Sequence, residues 1–537
     1  MDATDLSYLP VTELAPLIES REISPVDLVE AQLARIDKLD GVLRAYISVD
    51  ADNALAQAKA AEAEIAADGY RGPLHGITTA HKDIIDVQGI PTTGASKILK
   101  DAAPATSEAT VQAKLRAAGA ICLGKLNLVE FASGSMCVFG YARNPFNLAA
   151  SPGGSSSGSG VAAAAGLATI VTGTDTGGSV RNPANLNGLA GLRPTYGRVS
   201  RYGCIPLSWS QDSIGPMGRR VQDIAIMLGA MAGSDRFDPT AADVTVPDFT
   251  AGIDAGIKGL RVGVPSNFFF DDLDPEIDAA MKAAIDKLAE LGAEIKPIAL
   301  PTCEYAASAS WTIAYSESFV YHQHWFEKQA HDYTAPFYLK ITAAGMTSAV
   351  ERIVSQRIRQ AVTRELMTAL QDVDIIVTPS GRTLASSRVR DDMTSVTRPA
   401  SLAGLPAMSL PIGFAQEETA IGMQVIGRPF EESTVFRLGH AYEQATRWFL
   451  KRPSDDFPLD LPEAHGAAPM GAPAEVDGPI DTAWVMDMAR QLDYPFVTED
   501  DAARIAPMLA PVKDQLHAAQ AALTFDQEPP TRASGWF

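Results

Sequence analysis

Apolar residues recur at helical spacing through the first part of the chain. Ser24 is predicted to cap a helix, with Pro25 in the first turn and Asp27 completing a capping box. The apolar face of that helix consists of Val26, Leu28, Val29, Leu33 and Ile36. An alanine-rich stretch over residues 52–67 predicts a second helix. The chain before Gly72 is therefore expected to be helical.

From Gly72 onward, short β-branched runs alternate with amphipathic segments. The predicted elements are strands over 77–87, 120–123 and 168–172 and a helix over 110–118. A second lobe with the same alternation begins near Leu260. Its predicted elements are a strand over 260–265, helices over 275–291 and 350–370, and a strand over 374–379. This β–α–β alternation predicts an α/β fold in which helices cover a sheet.

The C-terminal part of the chain differs in texture from the rest. Residues 451–482 are dense in Pro, Asp, Ala and Gly, which is typical of a linker. Beyond them, Thr498 and Asp501 predict the capped start of a helix, which Pro507 and Pro511 are expected to break or kink. We therefore divide the chain into a main domain, the linker and a small helical unit, over 1–450, 451–482 and 483–537.

Composition and charge narrow the class of protein. Of 537 residues, 46% are hydrophobic and 20% charged, enough apolar surface for a large core. The formal net charge of −21 argues against a nucleic-acid partner or an anionic membrane, both of which need clustered positive charge. No apolar stretch is long enough to span a membrane, and the acidic N-terminus is unlike a signal peptide. Four cysteines without a C-x-x-C pair predict a reduced, cytoplasmic protein.

Two Gly/Ser clusters carry the strongest chemical signal. The first, over 151–160, has the composition of a flexible linker, but it runs directly into a buried-looking alanine-rich helix and then a strand. The second, Gly177-Gly178-Ser179, follows that strand. Consecutive glycines free backbone N–H groups to point at one spot, which is how an oxyanion hole is built. A serine hydroxyl beside them is placed to attack a carbonyl carbon.

A nucleophilic serine needs a base, and no histidine has the sequence context of a triad member. Lys82 is the alternative, because it ends an apolar strand where burial would lower the pKa of its amine. The competing interpretation is a solvated lysine at the rim of the sheet.

Three further motifs are set aside. Ser156 lies in a G-x-S-x-G sequence, and residues 158–163 loosely match a dinucleotide-binding fingerprint, but no strand precedes either motif. His322 and His324 are two positions apart, so they do not share a helix face, and we expect a structural role for them.

Several ordered motifs make residues 5–450 resemble the amidase signature family. They are H-K-D at 81–83, P-G-G-S-S-S-G-S at 152–159, G-T-D-T-G-G-S-V-R at 173–181 and G-L-R-P-T-Y-G-R-V-S at 191–200. The resemblance implies a large central twisted mixed β-sheet covered by helices on both faces, and a serine amidohydrolase that needs no metal or organic cofactor.

The resemblance also implies residue roles. Ser179 would be the nucleophile, Ser155 a bridging serine in a cis peptide, and Lys82 the base. The oxyanion would be held by the backbone N–H groups of Thr176, Gly177, Gly178 and Ser179. Two departures from the family pattern are Ser157, where glycine is usual, and His81 before the lysine.

Substrate contacts are less determined by the resemblance. The family lines its pocket with the segment that begins at Ser133, Gly134 and Ser135, which here fits no subgroup. Arg359 aligns loosely with an arginine that grips a substrate carboxylate in some relatives. The three further arginines on its predicted helix favour a solvated basic face instead.

The C-terminal unit resembles the small partner subunit of carboxybiuret hydrolases and, more distantly, the small C subunit of glutamyl-tRNA amidotransferases. The alternative is a helical tail that only covers an apolar patch. We expect a homodimeric, stand-alone amidohydrolase that cleaves the C–N bond of a small carboxamide or carbamoyl compound. The alternatives are the ammonia-generating A subunit of a glutamyl-tRNA amidotransferase complex and a catalytically silent scaffold.

Overall fold

The computed structural model describes residues 2–134, 136–386, 394–458, 460–462, 464 and 478–523, and in these ranges eleven strands form one mixed sheet. The strands are β1 (Tyr46–Val49), β2 (Thr78–Lys82), β3 (Ile121–Leu126), β4 (Ile170–Asp175), β5 (Ala190–Arg193), β6 (Ser213–Gly218), β7 (Arg261–Pro265), β8 (Glu294–Ile298), β9 (Ile375–Pro379), β10 (Ala407–Phe414) and β11 (Ala420–Ile426). Their order is β1-β3-β2-β4-β6-β5-β10-β11-β9-β7-β8. The strand β2 pairs in parallel with β3 and β4, and β7 with β8 and β9.

Helices cover the sheet. They are α1 (Ala3–Tyr8), α2 (Val11–Glu19), α3 (Pro25–Leu43), α4 (Ala51–Ala66), α5 (Thr110–Ala117), α6 (Ser157–Ala164), α7 (Arg181–Leu186), α8 (Val221–Met231), α9 (Pro275–Glu290), α10 (Ala306–Gln329), α11 (Ala335–Gly345), α12 (Ala349–Asp372), α13 (Arg398–Ala403), α14 (Glu432–Thr446), α15 (Thr482–Gln491) and α16 (Glu499–Ala522). None in the described ranges combines the length and apolar character needed to cross a bilayer.

Both faces of the sheet are buried. Neighbouring residues of β4 belong to different apolar clusters, because successive side chains of a strand point to opposite faces. Ile170 packs in the cluster that contains Leu228 of α8, whereas Val171 packs in the cluster that contains Val161 of α6. The expected α/β fold, with helices on both faces of a large mixed sheet, is therefore confirmed.

Local sequence signals place several helix ends correctly. At α3 the predicted capping box forms, with Val26 N–H donating to Ser24 Oγ at 3.0 Å and Ser24 N–H donating to Asp27 Oδ2 at 3.0 Å. A second predicted box begins α16 at Thr498. That helix is continuous through Pro507 and Pro511, so of the expected break or kink, the break is absent.

The first Gly/Ser cluster is the main departure from the predicted elements. We expected a loop through residue 160, but α6 already begins at Ser157, and its small residues are all buried. Small side chains are required there: a Cβ at Gly158 would lie 2.3 Å from the Ala45 carbonyl oxygen. Glycine and serine have low helix propensity, but here tertiary packing against neighbouring backbone favours a helix built from small residues.

The described C-terminal helices pack on the main body of the protein. Lys513 of α16 forms an ion pair with Glu351 of α12 at 2.7 Å. The Tyr338 hydroxyl of α11 donates to the Phe496 carbonyl oxygen at 3.1 Å. The predicted linker lies partly outside the described residues, and within its described part Asp455 forms an ion pair with Arg35 at 2.7 Å.

Candidate active site

Lys82 is the last residue of β2 and is completely buried. Its Nζ lies 2.7 Å from Ser155 Oγ and 2.8 Å from Thr174 Oγ1. Burial lowers the pKa of the Lys82 amine to about 7, outweighing the opposing effect of nearby acidic groups. The alternative interpretation of a solvated rim lysine is therefore wrong.

A second buried lysine shows what distinguishes Lys82. Lys125 of β3 lies 2.8 Å from Asp83 Oδ1, and both side chains have no exposed surface. By contrast, no described carboxylate lies within ion-pairing distance of Lys82. A buried ammonium is stabilised by a neighbouring carboxylate and destabilised without one. Of these two lysines, Lys82 is therefore the one that can be neutral near pH 7.

The strand order brings the remaining groups to Lys82. Because β2 and β4 are parallel neighbours, their carboxyl ends meet at the same edge of the sheet. Thr174 and the turn that follows β4 consequently lie beside the amine.

Ser155 approaches the same point from the turn that leads into α6. The Gly154–Ser155 peptide bond is cis, as the family resemblance implied. Gly154 N–H donates to Asn182 Oδ1 at 2.9 Å, and Ser156 N–H donates to the Ser179 carbonyl oxygen at 3.4 Å. These bonds join the two Gly/Ser clusters, and Ser155 and Ser179 line one cavity.

The turn between β4 and α7 is held by the buried Asp175 carboxylate. It accepts hydrogen bonds from Gly178 N–H at 2.9 Å and Val180 N–H at 3.2 Å, and Arg181 Nη2 lies 2.9 Å away. Burial alone would raise the pKa of Asp175, but the Arg181 and Arg193 charges outweigh it and hold the pKa well below its usual range. The carboxylate thus stays charged and fixes the turn.

Glycine is required at the tip of this turn. Gly178 has φ = +135°, and a Cβ there would lie 2.2 Å from Thr397 Oγ1. The expectation that Gly178 N–H helps to hold an oxyanion needs correction, because Asp175 already accepts that hydrogen. The N–H groups of Thr176, Gly177 and Ser179 remain as candidates.

The cavity at Ser155 and Ser179 has a volume of about 340 Å³. The predicted pocket residues Ser133 and Gly134 line it, whereas Ser135 lies outside the described residues.

Arg359 is not among the described lining residues. Its Nη2 donates to the Ser210 carbonyl oxygen at 3.0 Å, and burial lowers the pKa of its guanidinium. Arg359 is therefore a half-buried residue outside the described wall of this cavity, not part of a fully solvated face.

Sequence reasoning missed four residues of the site. Thr174 accepts a hydrogen bond from Lys82, and Tyr315, Lys340 and Arg398 line the cavity. Tyr315 lies in α10, a helix with several aromatic residues, and such a composition does not distinguish a cavity wall from core packing. Lys340 and Arg398 are isolated basic residues on different helices, and no sequence pattern connects them.

Two of the histidines that the sequence analysis singled out are buried in the core. His81 bonds Thr172 Oγ1 at 2.8 Å and Gln112 Oε1 at 2.5 Å, and burial lowers its pKa to about 4. His322 bonds the Tyr333 hydroxyl at 3.0 Å. Within the described ranges, no group of three or more His, Cys, Asp or Glu side chains could hold a metal ion.

Comparisons with known proteins show which proteins this chain is similar to. The family model described as amidase matches residues 27–436. The chain is 40% identical to the A subunit of glutamyl-tRNA(Gln) amidotransferase from Roseiflexus sp. strain RS-1, over 85% of this chain and 100% of the relative.

Solved structures show the same likeness. One, from a vestigial protein complex that reveals the evolutionary origins of an s-triazine catabolic enzyme, has a TM-score of 0.79 and 30% identity, over 83% of this chain and 100% of that one. The peptide amidase of Stenotrophomonas maltophilia has a TM-score of 0.74 and 31% identity, over 83% of this chain and 98% of that one.

The Roseiflexus relative contradicts one part of the expected partners, the exclusion of nucleic acid. We expected only a small-molecule substrate and a second copy of the chain, with no nucleic acid and no membrane. The Roseiflexus relative, however, is named as the A subunit of glutamyl-tRNA(Gln) amidotransferase. The expectation rested on the net charge of −21. That argument was too weak, because one subunit of a complex can meet a nucleic acid through a local patch or through its neighbours.

Proposed function

The chain belongs to the amidase family, and we propose that it hydrolyses the C–N bond of a small amide through an acyl-enzyme on Ser179. One observation carries this proposal. Lys82 is buried, lacks a described carboxylate partner and lies 2.7 Å from Ser155 Oγ.

The proposed chemistry is a proton relay. Neutral Lys82 has one lone pair, with which it accepts a hydrogen bond from Ser155 while donating to Thr174. Lys82 takes the proton of Ser155 as Ser155 takes the proton of Ser179, and Ser179 Oγ attacks the amide carbon. The N–H groups of Thr176, Gly177 and Ser179 hold the developing oxyanion.

The same relay then runs in reverse. The proton returns through Ser155 to the leaving nitrogen, the C–N bond breaks, and ammonia or an amine departs. A water molecule, deprotonated by the relay, attacks the acyl-enzyme and releases the acid.

A second candidate is the ammonia-generating A subunit of a glutamyl-tRNA amidotransferase complex. The names of the relatives favour it over a stand-alone amidohydrolase, and the whole length of the Roseiflexus relative aligns with 85% of this chain. Both candidates use the same amide hydrolysis and differ in where the ammonia goes.

We also propose that the C-terminal unit plays the part of a fused partner subunit. Buried apolar residues of α15 and α16 pack in one cluster with Ala132 and Tyr315, which line the cavity. Through α11, the unit supports the wall of the site rather than only covering an apolar patch.

The test is ammonia release from a panel of aliphatic amides, aryl amides, ureas, carbamates and glutamine. We expect Ser179→Ala and Lys82→Met to lower kcat/KM by about 10³-fold or more, because each removes a member of the relay. A fluorophosphonate should label Ser179 in the wild type and label Lys82→Met more slowly.

The matched control is Ser20→Ala, which removes an exposed serine on the surface and should retain full activity. Folded Ser179→Ala that keeps full activity would overturn the proposal. Release by the chain alone supports the stand-alone enzyme, whereas release only with a copurified tRNA-binding partner supports the second candidate.

A further inference from the structure

Among its described lining residues, the cavity at Ser179 carries unbalanced positive charge. Two cationic side chains line it, Lys340 of α11 and Arg398 of α13, and none of the described lining residues is an aspartate or glutamate. A cavity with this lining favours an anionic occupant.

Neither cation is neutralised by its surroundings in the described ranges. Arg398 Nη1 donates to Ser310 Oγ at 3.2 Å, a neutral partner. Lys340 Nζ lies 5.8 Å from the centroid of the Tyr315 ring, which is a weak cation–π contact. Neither side chain makes an ion pair with a described carboxylate, whereas the buried Arg181 and Arg193 share Asp175.

Tyr315 lies near both Lys340 and Arg398, and its pKa responds to their charges. Its hydroxyl and Ser133 Oγ are 2.8 Å apart in a hydrogen bond. Burial alone would raise the pKa of Tyr315, but the charges of Lys340 and Arg398 outweigh it and lower the pKa below its ordinary value. The positive charge of the described cavity wall therefore acts even on the buried Tyr315 hydroxyl.

Arg398 is also close to the turn that carries the nucleophile. A Cβ on Gly177 would lie 2.8 Å from the Arg398 guanidinium carbon. A group bound by Arg398 is therefore held near Ser179, two residues further along the chain.

We propose that the substrate carries a carboxylate in addition to its amide, and that Lys340 and Arg398 bind this carboxylate. The inference rests on the proposed amide hydrolysis and adds the substrate class. Charge-assisted hydrogen bonds of this kind orient the ligand, so that the amide carbon faces Ser179. The volume of about 340 Å³ lies at the small end of ligand pockets, which suits a small acid amide.

The experiment compares two probes that differ in one terminal group, a carboxylate in one and a neutral carboxamide in the other. Succinamate and succinamide share a four-carbon skeleton and a primary amide, and one carries a carboxylate where the other carries a second amide. Binding is measured by calorimetry to the full chain with Ser179→Ala, which prevents turnover. We expect succinamate to bind about tenfold more tightly or better, as charge-assisted hydrogen bonds require.

Variants assign the preference to the two cations. Lys340→Met and Arg398→Met should each reduce the preference for succinamate over succinamide, while Lys340→Arg should keep part of that preference. The control is Lys59→Met, which removes an exposed lysine of α4 and should leave the preference intact. Equal binding of both probes, binding of neither, or an unchanged preference in both methionine variants would overturn the inference.

Turnover by the wild type separates this inference from the proposed function. If succinamide and succinamate are hydrolysed equally well, the anion site is wrong and the amidase stands. If succinamate binds tightly but neither probe acylates Ser179, the anion site stands and the proposed relay is in doubt.

Discussion

At the scale of single residues, the site depends on which buried charge has a partner. Lys82 and Lys125 lie on adjacent strands and are equally buried, yet only Lys125 has a described carboxylate beside it. Desolvation therefore outweighs the weaker, opposing effect of more distant acidic groups and lowers the pKa of the Lys82 amine to about 7. A residue ordinarily charged at neutral pH becomes available as a base.

This pKa predicts a pH dependence. The relay needs Lys82 in its deprotonated form, so kcat/KM should rise with pH, with a midpoint near 7, and level off above it. Initial rates between about pH 5.5 and 9 would measure the profile. The residual activity of Lys82→Met should lack this rise, and a wild-type profile that is flat or falls between about pH 6 and 8 would contradict the assignment.

At the scale of elements, the turn between β4 and α7 owes its shape to Asp175. The carboxylate accepts backbone hydrogens from Gly178 and Val180 and lies against two buried guanidinium groups. Parallel pairing of β2 with β4 then sets the turn beside Lys82. The turn is consequently held by contacts within the protein itself.

Asp175→Asn should be strongly destabilising, because it leaves the charges of Arg181 and Arg193 buried without a counter-charge. We expect the free energy of unfolding to fall by about 3–5 kcal/mol in urea titrations. The matched control is Asp68→Asn, whose ion pair with Arg21 is exposed and should contribute less than about 1 kcal/mol. Similar effects of the two changes would contradict the role given to Asp175.

At the scale of the whole molecule, the C-terminal unit shares a core with the site. Its buried members of that cluster are Val485, Ala489, Val497, Ala502, Ile505, Ala506 and Leu509, and Ile480 of the predicted linker joins them. They pack against α11, whose Lys340 lines the cavity and whose Tyr338 bonds Phe496. Removing the unit would expose this apolar face to water.

A chain ended after residue 478 should therefore have a Tm lower by about 5 °C or more and should bind succinamate less well. Coexpression of residues 479–537 as a separate polypeptide should restore both properties, because the contacts do not require a covalent link. Differential scanning calorimetry and the binding assay measure the outcome. A truncated chain with unchanged Tm and unchanged affinity for succinamate would contradict a role of the unit in stability and binding.

The sequence by itself determined the α/β class, the capping boxes of α3 and α16, and the three residues Lys82, Ser155 and Ser179 as candidates. The first two follow from local rules of backbone conformation, and the three site residues come from contiguous motifs that resemble those of a known family. It could not decide the charge state of Lys82, since that depends on whether a distant chain segment supplies a carboxylate.

Only the tertiary structure decided what surrounds the reacting groups. It brought Lys340 and Arg398, which lie on different helices, to one cavity. It also determined that Arg359 donates a hydrogen bond to the Ser210 carbonyl oxygen and that Gly178 N–H donates to the Asp175 carboxylate. Each outcome depends on packing between segments far apart in sequence, where a small displacement determines whether a contact forms. Desolvation and ion pairing depend on which distant segments come into contact. The spacing of residues along the chain does not determine those contacts.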